Sequence, residues 1–128
     1  MQTPLQVLVV DDDLDAAEAM AELLEIDGHS AEMVHTGPDA LDAARRVQPD
    51  IILMDIGLPG MDGNQVATLL RSEASLDHTV LVALTGWGRE KDRRLSLEAG
   101  FDVHLVKPAG FDELRELVAR VRQQNRRG

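Results

Sequence analysis

The chain has 128 residues, 44% of them hydrophobic and 28% charged, with no cysteine and a formal net charge of −10. This length suits one domain around one core. The mixture is that of a globular protein, and disulfides and thiolate metal sites are excluded. The negative charge opposes nonspecific contact with nucleic acid, aromatics at 2% offer little for base or sugar stacking, and no apolar run nears the roughly 20 residues of a membrane helix.

In chain order, Leu5–Val10 reads as a buried strand, closed by Asp11, Asp12 and Asp13. A helix follows with Ala16, Met20, Leu23 and Leu24 on one face, and Gly28 fits a left-handed position at its end. Ser30–Val34 is a short, weaker strand. Thr36 and Pro38 announce a helix whose inward stripe is Leu41, Ala44 and Val47, stopped by Pro49. Ile51–Met54 is apolar throughout, as in a central strand covered on both faces. A breaker-rich loop at 57–63 leads to a helix carrying Val66, Leu69 and Leu70. Thr79–Leu84 is the fourth strand, a helix spans about Arg89 to Ala99 before Gly100, and Val103–Val106 is the fifth strand. The last helix, Phe111–Gln123, turns Leu114, Leu117, Val118 and Val121 inward. Beyond it, residues 124–128 read as a frayed tail, and Arg120, Arg122, Arg126 and Arg127 as cations at a helix C-terminus. A βα unit repeated five times implies right-handed crossovers and one parallel sheet, with residues 1–128 forming a single α/β domain.

Open parallel sheets bind ligands beyond the carboxyl ends of their strands. Those ends deliver Asp11 and Asp12 after the first strand, Asp55 after the third, Thr85 after the fourth and Lys107 after the fifth. His35 and Thr36, after the second, look ordinary. Adjacent carboxylates repel by about 4 kcal/mol per pair at an effective dielectric of about 20, so such a cluster requires a cation, a proton or a catalytic reason. Oxygen-only donors select a hard ion, and Mg²⁺ suits a site of one or two carboxylates plus waters and a phosphate. A lysine and a hydroxyl beside them serve an anion. Together these groups describe phosphoryl transfer. Asp13, followed by Asp15 and Glu18, reads instead as a helix cap.

The segments LVVDDD (8–13), ILMDIGLPGMDG (52–63), ALTG (83–86) and LVKP (105–108) resemble the receiver domain of two-component response regulators, in order and across essentially the whole chain. The resemblance implies a flavodoxin-like (βα)5 sandwich with strand order 2-1-3-4-5. It implies phosphorylation of Asp55, Mg²⁺ held by Asp11, Asp12, Asp55 and the Gly57 carbonyl, and Lys107 and Thr85 on the phosphoryl oxygens. Further donors would be the Ile56 and Gly86 N–H groups, and the Lys107–Pro108 peptide would be cis. It also implies a histidine kinase or histidine phosphotransfer protein as phosphodonor, and a surface of the fourth helix, fifth strand and fifth helix that switches partners or forms a homodimer. The lack of a signal or membrane pattern makes the cytoplasm the expected location, and the net charge of −10 leads to an expectation of no direct nucleic-acid contact. Segment 86–102 is similar to receivers joined to hybrid histidine kinases.

Three positions depart from the family pattern, and one of them, Gly57, two residues past Asp55, offers no side chain near the phosphoryl group. His104, three residues before Lys107, stands where Tyr or Phe is common and is the expected switch residue; Trp87, the only tryptophan, could shield the phosphoryl group. The competing readings are a phosphatase of the haloacid-dehalogenase type, which expects an acid where Gly57 stands, and a pseudo-receiver that binds partners without phosphorylation. The chain is thus expected to act on itself and not as a turnover enzyme.

Overall fold

Apolar runs alternating with amphipathic segments produce strands that lie side by side while helices return the chain over both faces. The computed structural model describes residues 4–58, 60, 62–86, 90–107 and 110–127. The elements are β1 (Gln6–Val10), α1 (Leu14–Ile26), β2 (Ser30–Val34), α2 (Gly37–Val47), β3 (Ile51–Asp55), α3 (Gly63–Arg71), a single 3-10 turn (Ala74–Leu76), β4 (Val80–Thr85), α4 (Glu90–Ala99), β5 (Val103–Val106) and α5 (Phe111–Arg127). All pairings are parallel, in the order β2-β1-β3-β4-β5. The order implied by the resemblance is the one found, and it puts the crevice where the chain reverses direction across the sheet, at β1 and β3.

The pleat divides the core in two. Leu8, Val10, Ile52, Met54, Leu81 and Ala83 pack against Ala40, Ala44, Val66 and Leu70 of α2 and α3. The alternate residues Val7, Val9, Ile51, Leu53, Val82 and Leu84 pack against α1 and α5, through Ala17, Leu24, Leu114, Leu117, Val118 and Val121. Burial on both faces is why β1, β3 and β4 are unbroken apolar runs. At the sheet edge, β2 has no fully buried residue.

Several expectations shift in detail. The buried line of α1 is Ala17, Ala21 and Leu24, while Ala16, Met20 and Leu23 are half-buried. In α2 it is Ala40, Ala43 and Ala44, with Leu41 and Val47 on the flanks. In both helices alanines face the sheet, so the backbone approaches closely and longer side chains cover the rims. The last helix runs to Arg127. No Gly or Pro interrupts it before Gly128.

Helix ends follow local chemistry. Asp13 caps α1, its Oδ1 accepting the Asp15 and Ala16 N–H groups at 3.1 and 3.2 Å, as expected. Asp62 and Gln65 form a reciprocal capping box at α3. At the opposite end of the sheet from the crevice, Arg71 closes α3 onto its neighbours. Its Nε donates to the Gly100 carbonyl at 2.9 Å and its Nη1 to the Leu76 carbonyl at 3.3 Å. Its Nη2 pairs with Asp102, which also accepts the Leu81 N–H.

Near that end His29 is buried, and its Nδ1 accepts the Leu5 N–H at 3.0 Å. Burial pushes the imidazole below its ordinary value of 6.5, the Arg122 guanidinium adds to this, and Asp27 partly opposes it. As pH falls through 6.5 the unfolded chain therefore binds the proton more readily than the folded one, and stability drops. His29→Asn keeps an acceptor for Leu5 without titrating. It is expected to flatten the loss of urea stability between about pH 7.5 and about pH 6.

Candidate functional site

The strand order brings four carboxyl ends to one edge. Asp11 and Asp12 follow β1, Asp55 ends β3, Thr85 ends β4 and Lys107 follows β5. Oxygens of Asp11, Asp12 and Asp55 all lie within 4.8 Å of one another. Lys107 Nζ reaches Asp11 Oδ2 at 3.0 Å and Asp55 Oδ2 at 3.3 Å. The Asp11 side chain is 5% exposed and that of Asp55 15%, whereas Asp12 faces solvent. Burial opposes the Lys107 charge, but the Asp11 hydrogen bond and the Asp55 carboxylate outweigh it and raise the lysine above its ordinary value. Three carboxylates facing one ammonium leave an excess of negative charge in an all-oxygen pocket. That donor set fits a hard divalent cation, with Asp11, Asp12 and Asp55 as the side chains able to hold it.

Beside Asp55 opens a cleft of about 300 Å³, lined among others by Gly57, Asn64, Thr85, Gly86 and Ser96. Its floor is fixed by the backbone. The Lys107 N–H donates to the Thr85 carbonyl at 2.7 Å, so the ends of β4 and β5 move together. The Gly57 N–H donates to Asp55 Oδ1 at 3.0 Å, and a Cβ on Gly57 would stand 3.6 Å from that oxygen, an ordinary contact. Gly63 is different. A Cβ there would come within 2.7 Å of Ile56 Cα and 3.0 Å of the Asp55 carbonyl oxygen, both backbone atoms. Gly63→Ala is therefore expected to push the start of α3 off β3 and lower stability by about 2 kcal/mol in urea unfolding.

All five side chains singled out from the sequence meet here. One backbone expectation does not hold: the Ile56 N–H is taken by the Leu84 carbonyl at 3.1 Å and is not a free donor. Gly57 supplies the N–H at Asp55 instead. Thr85 and the Gly86 backbone line the cleft. His104 is half-buried in β5, paired in register with Ala83. Trp87 and Pro108, and with it the expected cis peptide, lie outside the described residues. Two residues at this edge escaped sequence reasoning. Asn64 lines the cleft, and His35, read as ordinary, places Nδ1 2.9 Å from the Asp11 carbonyl oxygen. His35 immediately follows β2, beside β1, and nothing in the sequence around it marks that contact.

Curated relatives share this sequence pattern. The DNA-binding response regulator MtrA of Mycobacterium tuberculosis is 38% identical over 122 residues, covering 95% of this chain and 51% of that protein. The sensory transduction protein RegX3 of Mycolicibacterium smegmatis matches to the same extent. The chain thus spans about half the length of the curated relatives it matches. Among solved structures, chemotaxis response regulator CheY4 of Vibrio cholerae superposes with a TM-score of 0.87 at 26% identity, covering 93% of this chain and 99% of that one. The receiver domain of the Pseudomonas aeruginosa sensor histidine kinase PA1611, solved with a magnesium ion coordinated in the active site cleft, superposes at 0.86 with 28% identity, covering 94% and 99%. The family description "Response regulator receiver domain" matches residues 7–119. With the sheet order, the acidic edge and this match in agreement over nearly the whole chain, it belongs to the response regulator receiver domain family.

Proposed function

We propose that Asp55 is the phosphoacceptor and that Asp11, Asp12, Asp55 and the Gly57 carbonyl hold Mg²⁺ while it is phosphorylated. One observation carries the reading: Lys107 Nζ bridges Asp11 and Asp55 inside a triad of carboxylates whose oxygens lie within 4.8 Å of one another. When bound, Mg²⁺ supplies charge neutralisation for the phosphoryl oxygens at the acidic edge. An Asp55 carboxylate oxygen forms the new P–O bond as the P–N bond of a partner's phosphohistidine breaks, and the bonding electrons return to the imidazole nitrogen. Lys107 exchanges its carboxylate contacts for phosphoryl oxygens, and the Thr85 hydroxyl and Gly86 N–H donate from the far wall of the cleft. Water later cleaves the acyl phosphate. The chain's own phosphorylation and dephosphorylation are the only chemistry proposed. The haloacid-dehalogenase reading finds Gly57 where its second acid belongs.

A histidine kinase or histidine phosphotransfer protein is the phosphodonor on this reading. Phosphorylation adds charge and acceptor oxygens beside Thr85, and α4, β5 and α5 would carry the change outward. Leu95, Val106 and Phe111 remain exposed there, at 45%, 42% and 37%, which suits a partner or a second copy. The relatives named as DNA-binding extend well past the matched segment. The absence of direct nucleic-acid contact is proposed for these 128 residues alone, on their net charge of −10. No helix among the described residues is long and apolar enough to cross a membrane, and a cytoplasmic address is likewise part of the proposal. The test is incubation with acetyl phosphate and Mg²⁺, read by intact mass. Gain of one phosphoryl group, lost on chelation, is expected; no gain under any donor would overturn the reading and favour a pseudo-receiver.

A further inference from the structure

The metal-binding reading leaves one question open: what holds the Asp12 carboxylate in the site. Asp11 is fixed at four points. Its N–H donates to the Val34 carbonyl at 3.2 Å, its Oδ1 accepts the Asp13 N–H at 3.0 Å, its Oδ2 accepts Lys107 at 3.0 Å, and its carbonyl oxygen meets His35 Nδ1 at 2.9 Å. Asp12 is exposed, and among the described residues its carboxylate has no hydrogen bond to anchor it, yet one of its oxygens belongs to the triad. Its direction is therefore set through the backbone.

The peptide linking Asp11 to Asp12 is planar, so the Asp11 carbonyl oxygen and the Asp12 Cα lie in one rigid unit. Whatever fixes that oxygen fixes the position of the Asp12 Cα, the point from which its side chain departs. A carbonyl can only accept, so His35 Nδ1 carries the proton and donates. Val10 pairs in register with Val34, and the Asp11 N–H continues the ladder to the Val34 carbonyl. The sheet itself ends there. The imidazole grips the carbonyl one step beyond it, where the strand gives way to the acidic loop.

We propose that His35 is a positioning residue for the cation site, acting through the Asp11–Asp12 peptide to aim the Asp12 carboxylate at the position shared with Asp11 and Asp55. It touches neither the reacting oxygen of Asp55 nor the phosphoryl group. Groups that orient metal-binding residues without touching the metal commonly shift its affinity by about 10–100-fold.

The proposal rests on Asp11, Asp12 and Asp55 binding Mg²⁺, so the test separates the two. Mg²⁺ is titrated calorimetrically into the wild-type chain, His35→Leu and His35→Asn, with thermal unfolding of each recorded without metal. Asparagine carries its amide nitrogen on Cγ, as histidine carries Nδ1, and can donate to the same carbonyl. Leucine fills similar space and cannot. The expected result is Mg²⁺ affinity about tenfold weaker in His35→Leu and within about twofold of wild type in His35→Asn. Equal affinity in all three, with only the unfolding midpoint lowered, would reduce His35 to a structural residue and overturn the proposal. Equal weakening in both variants would also overturn it, because the donated hydrogen bond would not be the cause. Failure of the wild type to bind Mg²⁺ would overturn the metal-site reading itself, and His35 with it.

Discussion

Asp55→Asn is expected to abolish phosphorylation by acetyl phosphate or a phosphohistidine donor while leaving the fold in place. The loss is complete because the amide offers no anionic oxygen to form the new P–O bond. The fold persists because asparagine matches aspartate in size and its carbonyl can still accept the Gly57 N–H that Asp55 Oδ1 accepts now. In stability two effects oppose. Removing one charge relieves repulsion from Asp11 and Asp12, and it also deletes the 3.3 Å contact with Lys107. Both act at a partly solvated edge, so the net change without metal stays within about 1 kcal/mol. Intact mass and urea midpoints check the two halves. Residual phosphorylation of the variant would move the acceptor elsewhere.

Lys107→Ala is expected to affect both stability and transfer. Without the ammonium, phosphorylation slows by about a hundredfold or more, the usual cost of removing one donor aimed at developing charge. The metal-free protein is destabilised by about 1–3 kcal/mol, since Asp11, with its side chain only 5% exposed, loses its cation. Added Mg²⁺ then stabilises the variant more than wild type, because it replaces the missing charge. The pH dependence has a definite sign. A lysine whose folded value is raised contributes stability that is fully present below its ordinary value of 10.5 and is lost as pH rises through the raised value. Wild type should therefore shed stability in alkali that the variant never had. Urea midpoints at neutral and alkaline pH, with and without Mg²⁺, measure each effect.

Most of the architecture was legible because periodicity reports burial. Val7 to Val10 and Ile51 to Met54 are apolar at every position, and only strands covered on both faces need that. The site was legible for a related reason: Asp11, Asp12, Asp55, Thr85 and Lys107 sit directly beyond such runs, where the backbone leaves the sheet. What stayed hidden depends on distances between segments remote in sequence. On α1, Met20 and Leu23 do pack against the core beside buried Leu24, but Ala17 and Ala21, which complete the buried line, went unread because a small side chain carries little hydrophobic signal. The 3-10 turn at Ala74–Leu76 carries one buried leucine and no period. Ile56 looked like a free donor, but the β3–β4 ladder runs one residue past Asp55 and takes its N–H. His35 was passed over because a lone histidine after an edge strand has no pattern; its importance appears only once β2 lies against β1.

Arg71 gives the half of the molecule that includes α4 an asymmetry. One guanidinium fastens the ends of α3, the 3-10 turn and α4 to the start of β5, while Thr85 and the start of α4 lie at the opposite end. A rod pinned at one tip can swing but cannot slide. Any reorientation of α4 that begins beside the crevice must then be largest at that end and vanish toward Gly100, so a displacement of a few tenths of an ångström at the hydroxyl would be read by a bound partner as a change of angle.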